Sequence, residues 1–331
     1  MAEAVLGGLP PFRPRLPWWG PDLQTIRSTL MRKRPAFDHY PRERVFIPFA
    51  DGSGDKLTAM LNRPRHATSR PLAVLIHGLT GLEDSYYICN SAAYFLSQGF
   101  PVLRLNLRGA GRSRPFCKTQ YHAGSSDDLA RAFDGLPADH RRHGVVAVGF
   151  SLGANQLIKY LGERGAAVKL KAAAAISAPL DLAGTARLLD TWRNAFYQRY
   201  LLKFMKEEAL APPQELSPAE RRAVQRARSV WEFDHVYSAP RAGFDGAADY
   251  YARTSSGQFL AGVTVPTLVI HALDDPWIPP QPYLAFDWRA HPNLINLVTQ
   301  QGGHVGFHGR DRAAAWHDLA IARFFESVSR S

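Results

Sequence analysis

The feature that most constrains this chain is a series of short, nearly continuous apolar runs, each closed by turn residues and most followed by a helix-like stretch. Leu72-Ala-Val-Leu-Ile76 ends at His77-Gly78, and Pro101-Val-Leu-Arg-Leu105 ends at Asn106. Val145-Val-Ala-Val148 ends at Gly149, and Leu170-Lys-Ala-Ala-Ala-Ala-Ile176 ends at Ser177. Thr267–Ile270 and Leu294–Val298 come late in the chain. Runs of four to seven apolar, often β-branched residues suit strands buried on both faces. Alternation with helical patterns over Ser91–Gln98, Ser126–Phe133 and Asn155–Glu163 predicts a mostly parallel sheet with right-handed crossovers and helices on both sides. Arg44–Pro48 and Leu57–Leu61 flank Asp51-Gly52-Ser53-Gly54, which predicts an antiparallel hairpin ahead of the parallel strands.

The strand rhythm stops between Asp181 and about Gly262, where the pattern is helical and rich in Trp, Tyr, Phe and Arg. An insertion at this point lies over the carboxyl ends of the strands, where open α/β sheets place their ligands. The expected organisation is an N-terminal extension (residues 1–43), a first core segment (44–181), a helical cap (182–262) and a second core segment (263–331).

Composition narrows the partners. The 331 residues are 46% hydrophobic, enough for a full-sized core, and no run is long and apolar enough to span a bilayer. Met1 to Pro21 reads poorly as a secretory signal, because an acidic residue comes early and prolines interrupt its apolar stretch. Two cysteines, Cys89 and Cys117, cannot build a disulfide framework, which places the chain in a reducing, cytoplasmic setting. The net charge of +11 is spread over scattered arginines, with short patches at 31–34 and 221–228. That reads as a solvated basic surface with at most loose attraction to anionic membranes, not a nucleic-acid site.

Gly149-Phe150-Ser151-Leu152-Gly153 is a G-x-S-x-G pattern set between a strand and a helix. A serine there projects from a tight turn at the top of the sheet, and flanking glycines let strand and helix pass closely. Its expected partners follow in the order acid, then histidine. The strand Thr267–Ile270 leads into Asp274 and Asp275; Asp275 is preferred because Asp-x-x-x-Pro to Pro279 is the common loop spacing. Asp181 is a third, weaker candidate whose ordinary role is to cap a helix. Beyond Leu294–Val298, His304 lies in Gly302-Gly303-His304-Val305-Gly306, and those glycines favour it over His308.

In this reading Ser151 is the nucleophile, His304 the general base, and Asp275 the acid that orients the imidazole. The oxyanion donors are the backbone N–H groups of Leu79 and Leu152. His77 orients the loop, and His77, Leu82, Tyr86 and Phe150 are candidates for the substrate pocket, with cap aromatics Trp192, Phe196, Tyr197, Phe204 and Trp231. No metal or cofactor is called for. The fold expected is therefore the α/β-hydrolase fold with a helical cap insertion.

Several further blocks occur in order: Pro17-Trp-Trp-Gly-Pro-Asp-Leu-Gln-Thr25, His77-Gly-Leu-Thr-Gly81 with Ser85 and Tyr86, Asn106-Leu-Arg-Gly109 and Tyr121-His-Ala-Gly124. Gly149-Phe-Ser-Leu-Gly-Ala-Asn155, Glu232-Phe-Asp234, Gly243–Tyr251 and Gly302-Gly-His-Val-Gly-Phe307 complete the set. With these the chain resembles the YheT-type hydrolases, related to eukaryotic ABHD1/ABHD3-like lipases and yeast medium-chain ethyl ester synthases. The resemblance carries Ser151, Asp275 and His304 over as a triad and implies hydrolysis of short- to medium-chain acyl esters, a small-molecule substrate class. Acyl transfer to alcohols and thioester cleavage are the alternatives, and a non-catalytic binding protein on a hydrolase scaffold is a weaker one. Eukaryotic relatives carry an N-terminal membrane anchor, and none is readable here.

Overall fold

The computed structural model describes residues 6–32, 34–66, 68–310 and 314–330. The first five residues of the N-terminal stretch and Lys33 of the basic patch at 31–34 therefore lie outside the described residues. Eight strands form one sheet in the order β1-β2-β4-β3-β5-β6-β7-β8. They are β1 Arg42–Pro48, β2 Lys56–Asn62, β3 Leu72–Ile76, β4 Val102–Leu105, β5 Val145–Phe150, β6 Ala172–Ile176, β7 Thr267–Ala272 and β8 Leu294–Thr299. β1 and β2 pair antiparallel, as the turn at 51–54 requires, and β2 joins β4 antiparallel. Every other pairing is parallel.

Alternation along the strands sorts two cores. Leu72, Val74 and Ile76 of β3 face one side with Ala147 of β5, against Leu157 and Leu161. Ala73 and Leu75 face the other side with Val146, Val148 and Phe150, against Phe95, Phe324 and Phe325. The helices that supply these layers are α2 Tyr86–Ser97, α3 Ser126–Asp134, α4 Leu152–Arg164 and, in last position, α9 Trp316–Arg330, while α1 Gly20–Met31 adds no residue to either core. α2 begins five residues earlier than its apolar periodicity predicts, at the N-cap Ser85. α1 and α9 are not foreseen by that periodicity. Pro21 at the first turn and Asp22 beside it are the start signals of α1.

Between β6 and β7 the chain forms α5 Leu182–Leu189, α6 Ala195–Leu210, α7 Pro218–Arg226, short helical turns over 230–241, and α8 Ala247–Thr254. Ser217 and Glu220 make a reciprocal capping box at the start of α7. These helices bury two further clusters. One is built on Leu201, Met205 and Phe233; the other on Leu182, Tyr250 and Tyr251, and it includes Leu152 beside the serine turn. Among the described residues no helix is long and apolar enough to cross a membrane.

Candidate active site

Ser151 directly follows β5 at φ 51° and ψ −120°, a conformation that L-residues with a side chain rarely adopt. The strain is held by packing around it. A Cβ added at Gly149 would stand 2.7 Å from the Ala154 Cα, and one at Gly153 would stand 2.4 Å from the His77 carbonyl oxygen. Only glycine at both positions lets β5 and α4 close on the turn. The Ser151 N–H donates to the Ile176 carbonyl at 2.9 Å, which ties the turn to β6.

His304 sits beyond β8 on a loop where Gly302 and Gly303 take φ 157° and 60°. Its Nε2 is 2.9 Å from Ser151 Oγ, and its Nδ1 is 2.8 Å from Asp275 Oδ2. Asp275 lies just past β7, and its Oδ1 accepts the N–H groups of Trp277 at 2.8 Å and Ile278 at 3.1 Å. Burial pushes its carboxyl up, but His304 and these donors outweigh that, so it lies below the usual carboxylate value. Asp274 turns elsewhere: its Oδ1 accepts the Gly303 N–H at 2.9 Å, shaping the histidine loop, and burial raises its carboxyl. Asp181 caps α5 by accepting the Gly184 N–H at 2.9 Å. His308 stands apart, its ring 3.4 Å from Arg27, and burial depresses it to about 3.

The loop after β3 approaches the serine from the other side. A Cβ at Gly78 would meet Ser151 Cβ at 3.0 Å and lie 3.6 Å from the Leu152 nitrogen. Within this loop the N–H of Gly78 donates to Tyr87 Oη at 2.8 Å, that of Thr80 to Tyr121 Oη at 2.7 Å, and that of Gly81 to the Gly78 carbonyl at 3.1 Å. Among the described residues Leu79 N–H has no such acceptor. Leu152 opens α4, so its N–H has no carbonyl of its own helix to reach. His77 is fully buried; Nδ1–H donates to the Gly78 carbonyl at 2.8 Å while Nε2 accepts the Leu107 N–H at 3.1 Å. Burial lowers its pKa to about 4, which keeps it neutral.

A cavity of about 760 Å³ opens over Ser151 and His304. Leu82, Tyr86, Phe196 and Tyr197 line it, with Leu201 and Met205 deeper in the helical insertion. Five pocket expectations need correction. Phe150 alternates with Val148 onto the opposite face of the sheet and is wholly buried there, and His77 lies beneath the loop it braces. Neither lines the cavity, nor do Trp192, Phe204 and Trp231; Trp192 is 91% exposed.

Other contacts were not foreseen. Trp277 stacks on the His304 ring at 4.3 Å, and Tyr197 meets Trp277 edge-on at 5.4 Å. The His304 N–H donates to Thr25 Oγ1 at 2.9 Å, and the Val305 N–H to Ser177 Oγ at 3.2 Å. These residues converge from distant parts of the chain, so only the block Pro17–Thr25 hinted that the N-terminal segment belongs to the site. Among the described residues no cluster of His, Cys, Asp and Glu is arranged to hold a metal ion.

A serine on a strand-to-helix turn, at the carboxyl end of this largely parallel sheet and beneath a helical insertion, defines the architecture of an α/β hydrolase. The chain belongs to that family: the model described as the alpha/beta hydrolase fold matches residues 71–311, and the YheT-type branch is the part of it that this chain falls in. It is 31% identical over 290 residues to the candidate esterase YheT of Escherichia coli (strain K12), covering 87% of this chain and 84% of that one. It is also 31% identical over 281 residues to medium-chain fatty acid ethyl ester synthase/esterase 2 of Saccharomyces cerevisiae, covering 77% and 62%. The chain thus spans about three fifths of that yeast relative. Among solved structures, esterase Pf2001 of Pyrococcus furiosus shares the fold at a TM-score of 0.58 and 17% identity, covering 98% of this chain and 99% of the other.

Proposed function

We propose that this protein hydrolyses carboxylic esters of short- to medium-chain acyl groups through an acyl-enzyme on Ser151. The observation that carries the reading is the relay Ser151 Oγ–His304 Nε2 at 2.9 Å and His304 Nδ1–Asp275 at 2.8 Å, set at the floor of a largely apolar cavity. As Ser151 Oγ attacks the ester carbonyl, its proton passes to His304 Nε2, and Asp275 stabilises the imidazolium. The carbonyl oxygen, now an oxyanion, takes the N–H groups of Leu79 and Leu152; one such donor contributes roughly 3–4 kcal/mol to the transition state. Collapse returns the proton to the leaving alcohol. Water, activated by the same imidazole, then releases the acid and restores Ser151.

Residues 182–262 act as a cap that supplies the acyl pocket. The buried free thiols Cys89 and Cys117 suit a reducing compartment, and we place the enzyme in the cytoplasm. Acyl transfer to an alcohol is the second reading, favoured by the similarity to a relative named both synthase and esterase. A series of p-nitrophenyl esters of increasing acyl length tests the main reading. Wild type should show an optimum at short to medium chains, and Ser151→Ala should lose turnover while keeping its circular dichroism. Turnover retained by Ser151→Ala removes the mechanism. Ethyl ester formed when ethanol is added would establish the transfer reaction.

A further inference from the structure

Helix α1 is turned inside out. The one residue it fully buries is polar Gln24, whose amide bonds the Trp18 carbonyl at 2.6 Å and the backbone of His308. Leu23 and Leu30 face outward instead, 38% and 58% exposed, in line with Trp19 at the N-cap, 56% exposed, while Ile26 packs partly buried against the helical insertion. Trp19, Leu23 and Leu30 recur at i, i+4 and i+11, one stripe along the helix. Ion pairing of Asp22 with Arg193 at 2.8 Å, and the Tyr197 hydroxyl on Asp22 at 2.7 Å, place this helix beside the start of α6. There Trp192, Phe196 and Tyr200 are exposed as well. Single exposed apolar side chains are ordinary, but two adjoining stripes from two helices form a patch that marks an interaction site.

The same two helices frame the cavity mouth, α1 through Thr25, Ser28 and Thr29, and α6 through Phe196 and Tyr200. Exposed Arg32, Arg34 and Arg199 border the patch, and among the described residues no carboxylate pairs with them. The face is thus apolar at its centre, basic at its edge, and open at the mouth of the acyl cavity.

We propose that this face docks on an anionic phospholipid surface, so that acyl esters dissolved in the lipid enter the cavity without crossing water. Aromatic and leucine side chains seat at the headgroup boundary, and arginines answer the lipid charge. A second copy of the chain is the poorer occupant. A two-fold contact would set these arginines against their own counterparts on molecules of net charge +11. The proposal rests on the ester-hydrolase reading only for what enters the cavity; docking itself is measured without turnover.

The test is co-sedimentation of the full chain with vesicles of phosphatidylcholine alone, or of phosphatidylcholine with phosphatidylglycerol, alongside the tryptophan emission maximum. Wild type should bind the anionic vesicles, with a blue shift from Trp19 and Trp192, and should bind the neutral ones far more weakly. Leu30→Glu combined with Trp192→Glu should lower binding at least ten-fold, while turnover of dissolved p-nitrophenyl butyrate stays unchanged. Arg32→Gln with Arg199→Gln should weaken binding to anionic vesicles about five-fold per arginine, and that difference should fade at high salt. No binding by wild type, or equal binding by the Leu30 and Trp192 variant, overturns the proposal. So does a wild-type dimer in sedimentation velocity that this variant splits, because the face would then join copies. Wild type that hydrolyses dissolved ester yet ignores vesicles sinks docking alone; binding without hydrolysis of any ester sinks the enzymatic reading alone.

Discussion

Replacing Asp275 by Asn distinguishes the proposed acid from its neighbour through a tautomer that the surrounding backbone dictates. Asp275 Oδ1 accepts two N–H groups, from Trp277 and Ile278, and Oδ2 faces His304 Nδ1 at 2.8 Å. In the Asn variant the amide oxygen must stay where the two donors point, so the NH₂ group is forced toward His304. Nδ1 then becomes an acceptor, and the ring proton moves to Nε2, which faces Ser151 Oγ at 2.9 Å. A protonated Nε2 cannot take the serine proton. The expected loss is roughly 10⁴-fold in kcat, about 5.5 kcal/mol at about 1.4 kcal/mol per decade. Asn at position 274 keeps its single acceptor for the Gly303 N–H, so Asp274→Asn should lose less than about ten-fold. Steady-state kcat and KM on a p-nitrophenyl ester, with circular dichroism as the folding control, read both variants. A reversed order, or an Asp275→Asn enzyme within ten-fold of wild type, refutes the tautomer argument.

Gly78→Ala places a methyl 3.0 Å from Ser151 Cβ and 3.1 Å from the Phe150 carbonyl oxygen, so the loop carrying Leu79 must recede. Steady-state kinetics should show kcat falling by roughly 10²–10³ with stability lowered by only about 1–3 kcal/mol in urea titration; unchanged kcat would mean Leu79 is not an oxyanion donor. Glu208 in the cavity wall is raised by burial to about 7, against the downward pull of Arg114 and Tyr121. A carboxyl raised in the folded state binds its proton more tightly than the unfolded chain does, so stability falls as pH climbs from about 4.5 to about 7. Glu208→Gln should remove that slope and gain about 1–3 kcal/mol on wild type between pH 5 and pH 8 in urea titrations. A difference that does not change with pH would contradict it.

What was legible in the sequence is what local chemistry fixes. The parallel strands betray themselves by continuous apolar runs, and the serine turn by glycines that the packing leaves no room to replace. Phe150 was misjudged although its signal was present. Alternation from Val146 and Val148 assigns it to the face away from the cavity, and adjacence to Ser151 masked that parity. Helix α1 was illegible for a different reason. Periodicity identifies a helix by an apolar face turned inward, and here the one fully buried residue is Gln24, while Leu23, Leu30 and the N-cap Trp19 face out and only Ile26 packs partly inward. The partners of His304 were hidden by distance along the chain. Thr25 and Ser177 reach it from 279 and 128 positions away through the backbone of residues 304 and 305, and no spacing rule spans such separations.

Those distant partners also bear on how substrate reaches Ser151. α1 holds the base loop through Thr25 and the helical insertion through Asp22, which accepts from Tyr197 and pairs with Arg193. Tyr197 in turn packs on Trp277, and Trp277 on His304. The base, the N-terminal helix and α6 therefore form a closed ring of contacts. Swinging the insertion away as a rigid lid would break the Asp22 contacts and strip Tyr197 from the Trp277 ring that covers the imidazole, loosening the geometry on which proton transfer depends. The route that leaves this ring intact is the existing mouth between α1 and α6, framed by side chains of Ser28, Thr29, Phe196 and Tyr200 that can rotate without moving either helix. Access and catalysis are then compatible because the gate is made of side chains, while the backbone that positions His304 stays fixed.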